Sequence, residues 1–195
     1  MKIAITGHTK GIGKSLLDLF ESNGHTVIGF SKSQGFDIED PISVEEILDF
    51  SEDCDVFINN AYYVGAQKNL LINLINRWEG KNKVIVNINS KATLMPAELL
   101  NSNAVNSFMK EYAADKQEQT NIIMDRIFKS SPHIINILTG VVDTDMGKAY
   151  DCKKMSTVDV AKFIYMLVEF KDTIAVQHIV FDVPGLNWKD IKPNA

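Results

Sequence analysis

KIAITGHTKGIGKSLLDLF, residues 2–20, places Gly7, Gly11 and Gly13 between an apolar run and an amphipathic one. A strand ending at Thr6 and a helix starting near Gly11 must be joined by a sharp reversal. Glycine supplies the backbone angles and the close approach that side chains forbid there. The helix then points unpaired N–H groups and its positive dipole end into the gap, where a pyrophosphate fits. A plain βα loop makes the same turn, and Gly7-x3-Gly11-x-Gly13 is not the GxGxxG spacing of the dinucleotide fingerprint.

Outward from this stretch, short runs rich in Ile and Val alternate with longer segments of helical period, the pattern of successive βα units and a parallel sheet. The predicted strands are 2–6, 26–30, 55–59, 83–89, 133–138 and 178–181. Most lack in/out alternation, as expected where helices cover both faces of a sheet. Helical spacing covers 12–22, 66–78, 105–128 and 157–169, and Pro41 starts a short helix carrying Val44, Ile47, Leu48 and Phe50. On the third of these, Val105, Phe108, Met109, Tyr112, Ala113 and Lys116 share one side, an unusual place for a lysine. Between Gly29 and Pro41 there is no room for a further helix and a full strand. Six main strands are therefore expected, with 36–38 as a remnant.

The totals bound the function. The chain has 195 residues, 45% of them apolar and 23% charged, enough for one substantial core in one domain over 1–195. A net charge of -5 offers no basic face for a phosphate backbone, so nucleic acid is not an expected partner. Cys54 and Cys152 have neither disulfide-framework nor zinc spacing, and His8, His25, His133 and His178 are scattered singly. No metal is expected, no apolar run approaches a membrane span, and a reducing cytoplasm fits.

Five short motifs lie in order on these elements. Thr6-Gly7-His8-Thr9-Lys10-Gly11-Ile12-Gly13 resembles the TGxxxGIG motif of short-chain dehydrogenases/reductases, and Asn59-Asn60-Ala61 their NNAG. Val86-Asn87-Ile88-Asn89-Ser90 is similar to their NISS strand end, Tyr112-Ala113-Ala114-Asp115-Lys116 to YxxxK, and Thr139-Gly140-Val141-Val142-Asp143-Thr144 to PGxxxT. The resemblance covers residues 2–146 and implies an α/β fold, a doubly wound, Rossmann-like parallel sheet in three α/β/α layers. It implies catalytic roles for Ser90, Tyr112 and Lys116, the lysine also holding the nicotinamide ribose. Cofactor binding falls by the same resemblance to Gly7, Gly11, Ile12, Gly13, Asp37, Ile38, Asn60, Ala61, Val142 and Thr144, and by their charge and hydroxyls to Thr9, Lys10, Ser31 and Lys32.

The chemistry is readable in the spacing. Tyr112 and Lys116 project from one helix face a turn apart, and an ammonium near a phenol favours the phenolate. Tyr112 then exchanges a proton with an alcohol or carbonyl oxygen as hydride moves, and Ser90 donates a hydrogen bond to that oxygen. A core tyrosine and a snorkelling lysine are the structural alternatives. The second strand ends Ser31-Lys32 with no carboxylate before Asp37, and Lys32 with Lys10 suits a 2′-phosphate, so NADP(H) is expected over NAD(H).

The sequence also departs from the family. Tyr62 and Tyr63 follow NNA where glycine is usual, Thr139 replaces a proline, and residues 96–103 insert a loop between Ser90 and Tyr112. The family's catalytic asparagine has no assigned match, Gln67, Asn69 and Asn73 being the neighbours available. Segment 145–156 is the expected substrate lid. The function expected is a cytoplasmic NADP-dependent oxidoreductase interconverting a carbonyl and an alcohol on a small substrate. The resemblance also implies a homodimer or tetramer. A dinucleotide-binding regulatory protein without turnover, and a nucleotide-sugar epimerase or dehydratase, are the alternatives.

Overall fold

The computed structural model describes residues 1–102, 105–126, 128–129, 131–186 and 191–193. In chain order the strands are β1 (Lys2–Thr6), β2 (Thr26–Phe30), β3 (Val56–Asn59), β4 (Val84–Ser90), β5 (His133–Thr139), β6 (Tyr150–Asp151), β7 (His178–Phe181) and β8 (Lys192–Pro193). The helices are α1 (Gly11–Ser22), α2 (Pro41–Phe50), α3 (Ala66–Arg77), α4 (Ala97–Leu100), α5 (Ser107–Met124) and α6 (Thr157–Glu169). Six strands form one parallel sheet in the order β2-β1-β3-β4-β5-β7, and β6 pairs antiparallel with β8. The fold class read from the sequence is the one found.

Two cores sandwich the sheet. On one face Leu16 and Phe20 of α1 meet Val160, Ile164 and Val168 of α6 over Ile3, Ile5, Val56 and Ile58. On the other, Val44 and Ile47 of α2, Leu70 and Leu74 of α3 and Ile123 of α5 lie over Ala4, Phe57 and Ile85 with Trp78. Alternate residues of each strand enter opposite cores, which is why these strands read as unbroken apolar runs. The order reverses direction between β1 and β3, so the carboxyl ends of β1, β3, β4 and β5 border one crevice where open α/β sheets bind ligands.

Two expectations are corrected. Residues 36–38 form no strand: the chain turns at Gly35, Phe36 N–H returns to the Ser31 carbonyl at 3.0 Å, and the Phe36 ring packs on Phe30 at 5.1 Å. A chain doubling back there cannot run beside β2. The third long helix is also shorter than its apolar stripe, because Asn106 caps it by accepting Met109 N–H at 2.8 Å and it ends at Met124. The inserted loop contains α4; its last residue, Asn103, lies outside the described residues.

Candidate active site

The glycine turn is held from below by the end of β3. Thr6 Oγ1 accepts the N–H groups of Asn60 and Ala61 at 3.0 Å each, and Asn60 Nδ2 donates to the Thr6 carbonyl at 2.9 Å and the Gly7 carbonyl at 3.4 Å. Asn60 and Ala61 thus fasten the turn. Gly7 and Gly11 bend it at φ +71° and +54°. Gly13 is the close approach: a Cβ there would sit 2.3 Å from the Gly7 carbonyl oxygen. The helix that follows has Lys10 as an extended N-cap residue and no acidic residue in its first turn, and it lacks the side-chain cap that Asp40, Asn106 and Ser156 give α2, α5 and α6. Its N–H groups and positive dipole end therefore face the crevice unopposed.

The rest of the expected cofactor set lies along the same edge, with unequal freedom. Thr9 and Lys10 are exposed, Ile12 half-buried, and Lys10 makes only a long contact of 3.8 Å with Asp145. Thr144 closes on the turn, its Cγ2 standing 3.1 Å from where a Gly11 Cβ would be, and its Oγ1 bonds the Val142 carbonyl at 3.4 Å. Ser31 is buried against Ser33. Lys32 is drawn to Asp37 at 2.6 Å and Glu39 at 3.2 Å, hydrogen bonds that raise its pKa and lower that of Asp37. Ile38 packs into the second core.

The three expected catalytic residues come together. Ser90, at the carboxyl end of β4, accepts Ala92 N–H at 3.1 Å and stands beside the Tyr112 phenol, near enough to favour its ionised form. The inserted loop therefore leaves Ser90 and Tyr112 together. Lys116 is 2% exposed on the same face of α5, donating to Gln67 Oε1 and to the Ile88 carbonyl at 2.9 Å. Its third side faces the Tyr62 ring, 4.7 Å from ammonium to centroid, with the Tyr112 ring at 5.7 Å.

Burial acts on both titrating groups. Burial pushes the Lys116 pKa from the usual 10.5 down to about 7, against a smaller opposing pull from the Asp115 carboxylate. Burial likewise raises the Tyr112 pKa, the neighbouring Ser90 only partly offsetting it. Burial of both groups disfavours their charged forms, so it opposes ionisation of the phenol.

The low lysine pKa has a testable sign. Between about pH 7 and the usual value of 10.5 the unfolded chain holds a proton on Lys116 that the folded chain lacks, so stability rises with pH there. The limit is about 1.4 kcal/mol per pH unit. Urea unfolding at pH 7 and pH 9 should show that rise in the native chain and a markedly flatter response in Lys116→Met. Equal slopes would refute the depressed pKa.

Among the three amides weighed for the missing asparagine, only Gln67 reaches the lysine. It is fully buried, and its Nε2 donates to the carbonyls of Asn59 at 2.8 Å and Ile88 at 3.1 Å, which leaves Oε1 for Lys116. Beneath it runs an amide ladder that sequence reasoning missed: Asn59 donates to Asn87 at 3.0 Å and Asn87 to Asn136 at 3.3 Å, on neighbouring strands in register. Polar residues at inward positions of the apolar runs VNINS and IINIL were the available signal. The expected lid is tied down in part: Val142 bridges Met155, and Tyr150–Asp151 pairs with β8.

No protein-family model matches the chain, and no curated protein does. Solved structures do. A short-chain dehydrogenase from Burkholderia cenocepacia, in complex with NADP, superposes with TM-score 0.72 at 16% identity over 92% of this chain and 87% of its own. The 3-alpha-hydroxysteroid dehydrogenase from a Pseudomonas species, complexed with NADH, gives 0.71 at 20% over 94% and 95%. A short-chain dehydrogenase from Sphingobium yanoikuyae, with NADPH, gives 0.69 at 14% over 95% and 89%. The fold is that of short-chain dehydrogenases/reductases. Among the described residues no helix is long and apolar enough to cross a membrane, and no cluster of metal-ligating side chains occurs.

Proposed function

We propose that this chain is an oxidoreductase of the short-chain dehydrogenase/reductase type, interconverting a carbonyl and an alcohol with a nicotinamide dinucleotide. The observation that carries the reading is the convergence of Ser90, Tyr112 and Lys116 at the same sheet edge as the uncapped glycine turn. The residues present fit such a cofactor: the Gly13 cradle admits nothing bulkier than hydrogen, and His8 Nδ1 beside the turn is a buried polar atom without a hydrogen-bond partner among the described residues. When bound, the cofactor supplies or accepts the hydride. Gly7, Gly11 and Gly13 with the first turn of α1 hold its pyrophosphate, Thr144 and the Val142 backbone orient its carboxamide end, Ser90 bonds the reacting oxygen, and Tyr112 exchanges the proton with it.

NADP(H) is the preferred form in this reading. Asp37, the first carboxylate after β2 in sequence, is engaged by Lys32 and so is poorly placed to accept a ribose diol, while the Lys10 side chain is 82% exposed over the turn. Lys32 must exchange Glu39 for the 2′-phosphate. Lys32→Ala should therefore weaken NADPH by about tenfold, the value of one charge-assisted hydrogen bond, and NADH by less than about twofold. Fluorescence titration with both nucleotides measures this, and equal losses would remove Lys32 from the site. The same reading carries a cytoplasmic location and pairing of two copies through α3 and α5, which expose Ile72 and Met124.

Titration with NADPH followed by a carbonyl panel, read as loss of reduced-nicotinamide absorbance, tests the whole. A second reading has one observation in its favour. Two acceptors and the Tyr62 ring occupy all three directions of the Lys116 ammonium, leaving none for a ribose while Tyr62 stays in place. Nucleotide binding without turnover across the panel would favour that dinucleotide-binding protein.

A further inference from the structure

The reactive phenol stands in an aromatic mouth. Tyr62 meets the Tyr112 ring edge-on at 4.9 Å, and Phe108 stacks on it at 6.1 Å and 21°. Three chain segments next to these rings also expose large apolar surface: Tyr63 after β3, Leu94 in the turn after Ser90, and Phe108 in the first turn of α5, at 53%, 54% and 47% exposure. A single exposed apolar side chain is ordinary, whereas exposed apolar side chains on segments adjoining the Tyr62, Tyr112 and Phe108 rings mark a binding surface.

Charge at this mouth is already spent. Lys91, next in sequence to Ser90, is tied to Asp182 at 2.7 Å, and Asp182 also accepts Val183 N–H at 2.8 Å. Lys91 could serve an anionic substrate only by deserting a mostly buried carboxylate, which is costly. Lys116 is enclosed. Lys153 and Lys154 line a separate cleft of about 310 Å³ with Met155, Phe163 and Phe181, and none of Ser90, Tyr112 or Lys116 borders it.

Resting on the oxidoreductase reading, we propose that the substrate is an uncharged, flat apolar carbonyl compound of the aryl ketone or aryl aldehyde class, seated by ring contacts with Phe108 and Tyr62. Offset and edge-to-face ring pairs add to the gain from area burial, and together they set a preference of roughly tenfold or more over a carbonyl lacking the ring. An α-keto acid gains no ion pair to compensate.

The test uses the full chain with saturating reduced cofactor and three probes: acetophenone, acetone and pyruvate. The expected result is a kcat/KM at least about tenfold higher for acetophenone than for either of the others. In Phe108→Ala, checked for folding by its thermal transition, the acetophenone-to-acetone ratio should fall by roughly tenfold through KM, and Phe108→Tyr should restore it. Saturation-transfer NMR on the same samples gives an independent reading of ring contact with acetophenone. Preference for pyruvate, or an unchanged ratio in Phe108→Ala, overturns the substrate class and leaves the oxidoreductase reading standing. Ring contact that is lost in Phe108→Ala, with no turnover of any probe, upholds the aromatic site and sinks the reaction. Absence of ring contact overturns the proposal outright.

Discussion

Tyr112→Phe should lower carbonyl reduction by about 10²–10⁴-fold while nucleotide affinity stays within about twofold, because the change removes one oxygen and leaves the ring contacts to Tyr62 and Phe108 in place. The direction of the pKa shift extends the prediction. A phenol held above its ordinary range by burial remains protonated at neutral pH and is ready to donate, so reduction should run at a nearly constant kcat from pH 6 to pH 9. Alcohol oxidation needs the phenolate, and its kcat should climb by up to about tenfold per pH unit over the same interval. Steady-state rates in both directions across pH, with Ser90→Ala alongside, check this. Ser90→Ala removes the neighbour that favours the phenolate and should lower oxidation further across the whole interval without changing its slope. Full activity in Tyr112→Phe would remove the proton-transfer role and with it the central chemical assignment.

The backbone architecture was legible because each strand and helix here is decided locally. Runs such as IVNIN-like β4 and the apolar spacing of α6 announce both period and burial, and the bounds 2–6, 26–30, 157–169 and 178–181 agree with the structure residue for residue. Boundaries set by side-chain hydrogen bonds were less legible: the Asn106 cap shortens α5 although the apolar stripe runs past it. The site divides in the same way. Ser90, Tyr112 and Lys116 could be placed together from motif order. Their protonation could not be read, because it depends on how completely Gln67, Ile88, Tyr62 and Asp115 enclose the lysine, and those residues come from three other elements or loops as well as α5. The Lys32 contacts show the same limit. A lysine after β2 reads as a phosphate ligand, while its two carboxylate partners lie five and seven residues on and reach it only because the chain doubles back at Gly35.

Gly13→Ala should have the largest effect of any single methyl addition near the turn. The new Cβ would lie 2.3 Å from the Gly7 carbonyl oxygen and 2.8 Å from both Gly7 C and Asn60 Nδ2, so the backbone itself must move. Overpacking of this kind costs about 1–3 kcal/mol, and here the shift also pushes Asn60 off the carbonyls of Thr6 and Gly7. The expected outcome is a thermal midpoint lower by several degrees and nucleotide affinity weaker by about 100-fold or more, since the groups displaced are those that shape the anion cradle. Gly24→Ala separates the two effects. Gly24 has φ +80° with nothing within 4 Å of its would-be Cβ, at the opposite end of α1 from the turn. Its substitution should cost about 1–2 kcal/mol of stability through backbone strain alone and leave nucleotide binding unchanged. If calorimetry and fluorescence titration instead show both variants losing stability alike and neither losing affinity, the glycine turn is a structural corner and the crevice binds its ligand elsewhere.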